Sequence, residues 1–358
     1  MIRSLLSADY PRSRLVAAIL LAIVVALALT PFVFPGARSL AVAAKVLVFI
    51  LLVASYDLLL GYTGIVSFAH TMFFGIGAYG VAIASTRMGP GWDAVALGVA
   101  CALALSALLA LAIGLFSLRV KAIFFAMITL AVAAAFQTLA SQLSEFTGGE
   151  DGLSFKVPEV LQPSFELFED TLLGASIDGR FISYYLLFFV VLALFLVLLR
   201  IVNSPFGRVL QAIRENDFRA EALGYRTVVF RTLSNVLAAL FATLAGALLA
   251  LWLRYNGPDT TLSFEIMLDT LLIVVIGGMG TMYGAVIGGA LFVFAQSYLQ
   301  DLMGWISGSL QAVPLLAALF SPDRWLLWLG VLFVLSVYYF PAGVVGRLRA
   351  RALARSAR

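Results

Sequence analysis

Three glycines at positions 75, 77 and 80 have the spacing that dinucleotide-binding loops use to bring backbone amides close to phosphates. Such a loop follows a β-strand and opens a helix, whereas these glycines lie within a long apolar run that no strand pattern precedes. The spacing therefore does not indicate a nucleotide site. The sequence also has no Gly-x-x-x-x-Gly-Lys-Ser/Thr phosphate loop and no Gly-Lys pair. We expect no cofactor on this chain, and any ATP and Mg to be bound by a partner protein.

His70 is the single histidine, and Ser67 and Thr71 share its helical face. No Ser/His/Asp or paired-carboxylate arrangement that would indicate catalysis accompanies it. Metal binding is not expected, because a second ligand of that kind is missing nearby. Two interpretations stay open: a packed, hydrogen-bonded histidine, or one that lines a pathway. Asp57 and Asp269 lie in apolar runs, where a charge costs about 2.5–3.5 kcal/mol, so we expect them to face away from lipid.

The composition requires a membrane environment for the elements that hold these residues. Of the 358 residues, 63% are hydrophobic and 12% charged, against roughly 45–50% and 25% in soluble domains. Apolar runs of about 18 residues or more indicate membrane-spanning helices. We therefore predict an all-α polytopic membrane protein, one transmembrane domain over 1–358, with about ten spans: 15–34, 40–60, 65–86, 94–116, 122–141, 182–201, 227–252, 264–283, 285–302 and 324–341.

Lysine and arginine residues are concentrated on alternate sides of these spans. With the N-terminus inside, the inner segments hold 16 of the 23 basic residues, and cytoplasmic loops carry such an excess. This bias predicts that both termini are inside, with a basic cytoplasmic tail at 342–358. The net charge of +4 then reflects topology, and we expect no nucleic-acid partner.

The longest outer segment, 142–181, carries eight acidic and two basic residues, a net charge of −6. Two interpretations stay open for this predicted periplasmic loop: a solvated connection, or a docking surface for an external partner.

The inner segment 203–226 has the pattern of a short amphipathic helix followed by another. Ser204 is a preferred N-cap residue, and Pro205 suits the first helical position. Apolar residues then recur at i, i+3, i+4 and i+7, which places them on one face: Phe206, Val209, Leu210 and Ile213. Asp217 is expected to cap the second helix and Gly224 to end it. Glu215 and Arg219 stand at i, i+4 in the favourable order.

This segment has two interpretations: an interfacial helix on lipid headgroups, or a lever that docks into a cytoplasmic motor. A lever needs an apolar face to hold its partner and polar faces to set the register. The acidic residues among the arginines favour a protein partner over anionic lipid. The predicted coupling residues are Arg208, Gln211, Arg214, Glu215, Asn216, Glu221 and Gly224.

Glycine-rich stretches interrupt the apolar runs near both ends of the chain, at 61–64 and 277–289. Paired interruptions often mark internal repeats with a pathway between them, whereas dense helix packing is the alternative for each stretch. Gly280, Gly284 and Gly288 are expected to share one helical stripe. The candidate pathway residues are Tyr62, Thr63, Ser67, His70, Gly75, Gly77, Gly278, Gly280 and Gly284.

These stretches together resemble the branched-chain amino-acid ABC permease family, LivM type. The resemblance rests on Leu58–Tyr79, on Thr147-Gly-Gly-Glu-Asp-Gly-Leu153, and on Gly207–Asn216 followed by Glu221-Ala-Leu-Gly224. The glycine run 277–289 is similar too, and the order of the motifs matches that of the family over about 40–345.

The resemblance implies a multi-pass subunit of the bacterial inner membrane. Its partners would be a LivH-type second permease, two cytoplasmic ABC ATPase subunits and a periplasmic solute-binding protein. It also implies that 206–224 contains the coupling helix. The family's solutes include leucine, isoleucine and valine, and related systems carry other amino acids, urea, short amides or aromatic acids.

Two other classes of function stay open. An ion-coupled secondary transporter or channel would work without an ATPase and would need carboxylates deep in several spans, to which only Asp57 and Asp269 come near. A membrane-embedded enzyme would need a catalytic set, and none is apparent.

Overall fold

The computed structural model describes residues 14–117, 122–166, 178–309, 319–339, 343, 345 and 346. Most of the predicted basic tail and part of the predicted periplasmic loop, 167–177, lie outside the described residues. The helices in chain order are α1 (Arg14–Val33), α2 (Ala37–Thr63), α3 (His70–Met88), α4 (Trp92–Ser117), α5 (Ala122–Gln142), α6 (Ser144–Thr147), α7 (Gly179–Val202), α8 (Pro205–Glu215), α9 (Asp217–Ala222), α10 (Thr227–Leu253), α11 (Pro258–Thr261), α12 (Phe264–Gly277), α13 (Met282–Ser309) and α14 (Trp325–Tyr339).

One short strand pair accompanies the helices. β1 (Leu153–Ser154) pairs antiparallel with β2 (Tyr255–Asn256), with Leu153 opposite Asn256. The pair ties the connection after α5 to the end of α10. The prediction of an all-α polytopic membrane protein is confirmed.

Eight helical segments in the described part of the chain are long and apolar enough to cross a membrane: α1, α2, α4, α5, α7, α10, α11–α12 and α13. Two of the ten predicted spans fall outside this set. The predicted span 65–86 corresponds to α3, which begins only at His70, and 324–341 corresponds to α14, which is described over 15 residues. The multi-pass character is therefore confirmed, and the count of ten stays a prediction.

Helix α2 lies at the centre of the bundle. Between Ala43 and Thr63 every residue except Lys45 and Leu60 is buried. Helices α7, α10, α12 and α13 pack around it. By contrast, α1, α4 and α5 expose large apolar side chains such as Leu21 and Leu108, as expected for helices that contact lipid.

Contacts between loops define two ends of the bundle. At the end that we call the α8 end, Arg214 of α8 contacts the last turn of α2. At the other end, which we call the strand-pair end, β1 pairs with β2 and Arg38 forms an ion pair with Asp301 at 2.6 Å. Helix α10 joins the two ends, since its 27 residues span about 40 Å. The charge bias assigns the α8 end to the cytoplasm, and that assignment stays a prediction.

Candidate functional site

Helix α8 lies across the α8 end of the bundle with its apolar face turned inward. The Ser204 hydroxyl accepts a hydrogen bond from the backbone amide of Gly207, as predicted for an N-cap. Leu210 and Ile213 are buried, and Phe206 stacks on Phe230 of α10 with ring centroids 5.7 Å apart. The predicted helix is confirmed. The expectation that its apolar face holds a partner is wrong, because this chain's own bundle covers that face.

Helix α9 follows after a sharp break at Asn216. The Asn216 side chain caps α9 by accepting from the amide of Arg219 at 2.9 Å, so the predicted cap at Asp217 is wrong by one residue. Asp217 instead pairs with Arg231 of α10 at 2.9 Å. Because the break removes the helical spacing, Glu215 and Arg219 form no ion pair within the described part of the chain. Asn216 thus turns the chain, and Asp217 fixes α9 to α10.

Gly224 ends α9 in the left-handed conformation, with φ of 91°, as predicted. Just before it, the Glu221 carboxylate accepts a hydrogen bond from the Thr227 hydroxyl at 2.7 Å. The two short helices are therefore held to the base of α10 by an ion pair, a hydrogen bond and an aromatic stack. We call α8, α9 and the turn up to Arg226 the coupling segment.

The outer surface of the coupling segment combines polar and apolar groups. All seven predicted coupling residues are exposed there: Arg208, Gln211, Arg214, Glu215, Asn216, Glu221 and Gly224. Two large apolar side chains that sequence reasoning missed stand beside them, Phe218 at 83% and Leu223 at 72% exposed. The interruption of the helical period at Asn216 concealed them, because they belong to no continuous apolar face.

Arg214 connects the coupling segment to the two glycine interruptions. Its guanidinium donates a hydrogen bond to the carbonyl oxygen of Gly61. Across the same point, the amide of Gly280 donates to the Asp57 carboxylate at 2.9 Å. Gly280 has φ of 78°, and a Cβ there would lie 2.8 Å from the Gly61 oxygen. Only glycine fits this crossing, so the last turn of α2 and the turn between α12 and α13 meet beneath α8.

The other predicted pathway residues at the end of α2 and in the turn after it are buried. Tyr62 and Thr63 end α2 with 0% and 1% exposure, and the Thr63 hydroxyl donates to the Leu59 carbonyl at 2.6 Å. Ser67 is buried in the turn, where its hydroxyl accepts from the Ala69 amide at 3.4 Å. Thr63 and Ser67 thus bond to backbone groups at the end of α2 and in the turn after it, and the pathway role of these residues stays a prediction.

His70 occupies a closed position at the start of α3. Its Nε2 atom and the Ser55 hydroxyl of α2 are hydrogen-bonded at 2.8 Å, and its ring packs on Tyr56 with centroids 5.1 Å apart. These contacts match the interpretation of a packed, satisfied histidine. Within the described residues, no group of three or more metal-ligating side chains is present.

Gly75 and Gly77 lie where α3 touches neighbouring segments. A Cβ on Gly77 would lie 1.8 Å from the Thr243 carbonyl oxygen of α10, and one on Gly75 would lie 2.2 Å from Leu262. Such close backbone approach is typical of small residues between membrane helices.

The second glycine run packs in a similar way. Gly278 ends α12 with φ of 115°, and a Cβ on Gly284 would lie 2.9 Å from the Gly277 carbonyl. Gly280 lies in the turn before α13, which begins at Met282. The expectation that Gly280 shares a helical stripe with Gly284 and Gly288 is therefore wrong, because Gly280 is not helical.

A polar cavity at the strand-pair end was also missed by sequence reasoning. Lys45 of α2 donates to the Gln296 side chain of α13 at 2.9 Å, and Gln296 donates to Asp269 of α12 at 3.1 Å. The sequence separates Lys45 from Gln296 by 251 residues, so no local spacing could have joined them.

Comparison with known proteins assigns the family. A family model described as "Branched-chain amino acid transport system / permease component" matches residues 38–337. The chain belongs to this family. The match includes the coupling segment, both glycine interruptions and the polar cavity, so the geometry described above belongs to the permease component itself. No solved structure matches the chain.

Several curated relatives carry names of the same kind. The high-affinity branched-chain amino acid transport system permease protein LivM of Salmonella typhimurium is 27% identical over 278 residues, 74% of this chain and 64% of the relative. LivM of Escherichia coli is 28% identical over 275 residues, 73% of this chain and 63% of the relative. BraD of Pseudomonas aeruginosa is 28% identical over 265 residues, 71% of this chain and 82% of the relative. The chain thus spans just under two thirds of the two LivM proteins.

In this permease-family chain, the motif at 147–152 shapes the strand-pair end. Gly148, Gly149 and Gly152 all have positive φ. Thr147 donates to the Ala140 carbonyl at 2.6 Å, and the Tyr255 hydroxyl of β2 donates to the Asp151 carbonyl at 3.0 Å. The motif folds the connection after α5 against the end of α10.

Proposed function

We propose that the chain is the membrane-spanning permease subunit of an ATP-driven importer for branched-chain amino acids or related small organic solutes of the bacterial inner membrane. One observation carries the proposal: the amphipathic coupling segment is bonded directly to the place where two broken membrane segments cross, through Arg214 and Gly61. A secondary transporter has no need of such a surface element, whereas a subunit driven from outside the chain requires one.

The mechanism begins at the strand-pair end, where a solute-loaded periplasmic binding protein docks near 142–181. Closure of two cytoplasmic ATPase subunits then moves the coupling segment. Because Arg214 binds the Gly61 carbonyl and Asp57 binds the Gly280 amide, the movement reaches the last turn of α2 and the turn before α13 together. A second permease of the LivH type completes the pathway.

Phe218 and Leu223 are the groups that hold the ATPase subunits in this mechanism. They are the most exposed large apolar side chains of the segment, in which Leu210 and Ile213 are buried, Phe206 and Val209 are half-buried and Tyr225 is 42% exposed. Full burial of a large apolar side chain against a partner contributes about 1.5–3 kcal/mol. The surrounding charged residues, with Arg208 and Glu215 on α8 and Glu221 on α9, set the register.

Reconstitution into proteoliposomes tests the proposal. The chain is assembled with its partner permease, ATPase subunits and binding protein, and uptake of radiolabelled leucine is measured with ATP inside the vesicles. The control uses ATPase subunits whose phosphate-loop lysine is replaced. We expect uptake only with the active ATPase and the binding protein. Uptake that survives the inactive ATPase and follows an imposed ion gradient would favour the secondary transporter instead.

A further inference from the structure

The cavity at the strand-pair end has a volume of about 450 Å³, within the range of small-molecule sites. Helices α2, α3, α10, α11, α12 and α13 contribute to its walls, so it lies between helices of the bundle. Its deepest charge, Lys45, stands eight residues into α2, about 12 Å from the first residue of that helix.

The charges inside this cavity are held apart by an amide. Gln296 accepts a hydrogen bond from Lys45 at 2.9 Å and donates one to Asp269 at 3.1 Å. Lys45 and Asp269 themselves form no ion pair in the described part of the chain. Two opposite charges that served only to stabilise the bundle would be expected to meet directly, because burying them apart is more costly.

Both charged groups keep unused hydrogen-bonding capacity. An ammonium has three donors and a carboxylate has about four acceptor positions, and the contacts with Gln296 occupy one on each. Ionisable groups within membrane segments are costly and mark binding or transport pathways. The cavity therefore presents one free cationic side and one free anionic side, separated by the length of an amide.

The rest of the lining combines apolar and aromatic walls with polar residues of α11 and the start of α12, namely Asp259, Thr260, Ser263 and Glu265, of which the two carboxylates are exposed. Phe49 and Phe74 are buried, and Trp252 and Ile266 are half-buried beside them. A second basic residue, Arg38, lies at the mouth, but its guanidinium is already paired with Asp301 at 2.6 Å. Lys45 is thus the cation available to a ligand, and an apolar ligand side chain has aromatic surface to pack on.

We propose that this cavity binds the zwitterionic backbone of an α-amino acid with an apolar side chain, on its way from the binding protein into the bundle. The solute carboxylate bonds to Lys45, its ammonium bonds to Asp269, and its side chain packs against Phe49, Phe74 and Trp252. This assignment rests on the function proposed above and adds the groups that recognise the solute.

Thiol labelling tests the site without the binding protein. Cys101 is the only cysteine, so Cys101→Ala gives a cysteine-free background. Val42→Cys then places a thiol on the cavity wall, and Ser154→Cys provides a control at the same end, on exposed β1. The rate of reaction with a charged methanethiosulfonate reagent is measured in the assembled complex against increasing L-leucine. Leucine amide, which lacks the carboxylate, and 2-hydroxy-4-methylpentanoate, which lacks the amine, are compared with it.

We expect leucine to slow labelling of Val42→Cys but not of Ser154→Cys, and both analogues to need higher concentrations. Lys45→Met and Asp269→Asn should raise the half-protecting leucine concentration about 10- to 100-fold, the contribution of one hydrogen bond to a charged group. Lys45→Arg, which keeps the charge, should retain protection. Assembly of each variant complex is checked by size-exclusion chromatography.

Three results would overturn the assignment: no protection of Val42→Cys in a complex that imports leucine, equal protection of Ser154→Cys, or unchanged half-protecting concentrations in both charge variants. A complex that neither imports nor is protected by leucine overturns the proposed solute class as well. The uptake measurement therefore separates failure of the site from failure of the function.

Discussion

Gly77→Ala tests whether the glycines of α3 pack helices or line a pathway. The new Cβ would lie 1.8 Å from the Thr243 carbonyl oxygen, whereas ordinary contact begins at 3.4 Å, so α3 and α10 must separate by about 1.6 Å. A gap of 0.5–1 Å already removes a quarter to a half of the dispersion attraction. Overpacking typically costs about 1–3 kcal/mol, and the upper end applies here because backbone meets backbone.

Thermal unfolding of the purified chain in detergent measures this cost. A loss of about 3 kcal/mol should lower Tm by on the order of 5 °C. Gly330→Ala is the matched control, because a Cβ on this α14 glycine meets nothing within 4 Å. Its Tm should stay unchanged or rise slightly, since alanine favours the helix by about 0.5–1 kcal/mol. A Gly77→Ala chain with normal Tm and impaired uptake would refute the packing role and favour a pathway position.

Three further predictions concern the α8 end. Arg214→Ala removes a charged hydrogen bond worth about 1.5–3 kcal/mol and should reduce ATP-driven uptake about tenfold; uptake within about twofold of the unchanged chain in proteoliposome assays would argue against the link to Gly61. Asn216→Ala should cost the α9 cap about 1 kcal/mol, seen as roughly fivefold faster amide exchange in α9, and unchanged exchange would mean that the cap is not needed. Asp57→Asn keeps an acceptor for the Gly280 amide, so its Tm should exceed that of Asp57→Leu, and the reverse order would contradict that bond.

Local patterns predicted the coupling segment well. The Ser204 cap, the Pro205 start and the apolar recurrence up to Ile213 specify α8, because each acts within a few residues of the chain. The same patterns failed where two neighbours offered similar chemistry. Asn216 and Asp217 are both good caps, and the choice between them depends on Arg231, which lies on another helix and pairs with Asp217.

Contacts between helices that are distant in the chain could not be predicted from the sequence. A chain of two hydrogen bonds joins three helices through Lys45, Gln296 and Asp269. In the sequence, these residues looked like isolated polar residues in separate apolar runs. The meeting of the two glycine turns depends likewise on bundle packing. The inward turn of the α8 apolar face has the same origin, since Phe230 on α10 is the surface that covers Phe206.

The central claim is that an ATPase drives this permease through the coupling segment, and Phe218 tests it most directly. Phe116, at the end of α4, is the matched control: it is 80% exposed against 83% for Phe218, and the charge bias predicts the same side of the membrane. The measurement is the number of leucine molecules imported per ATP hydrolysed in the reconstituted complex. We predict that Phe218→Ser lowers this ratio about tenfold, as expected from losing an apolar contact of about 1.5–3 kcal/mol, while Phe116→Ser leaves it unchanged. Equal ratios for the two variants would contradict the claim.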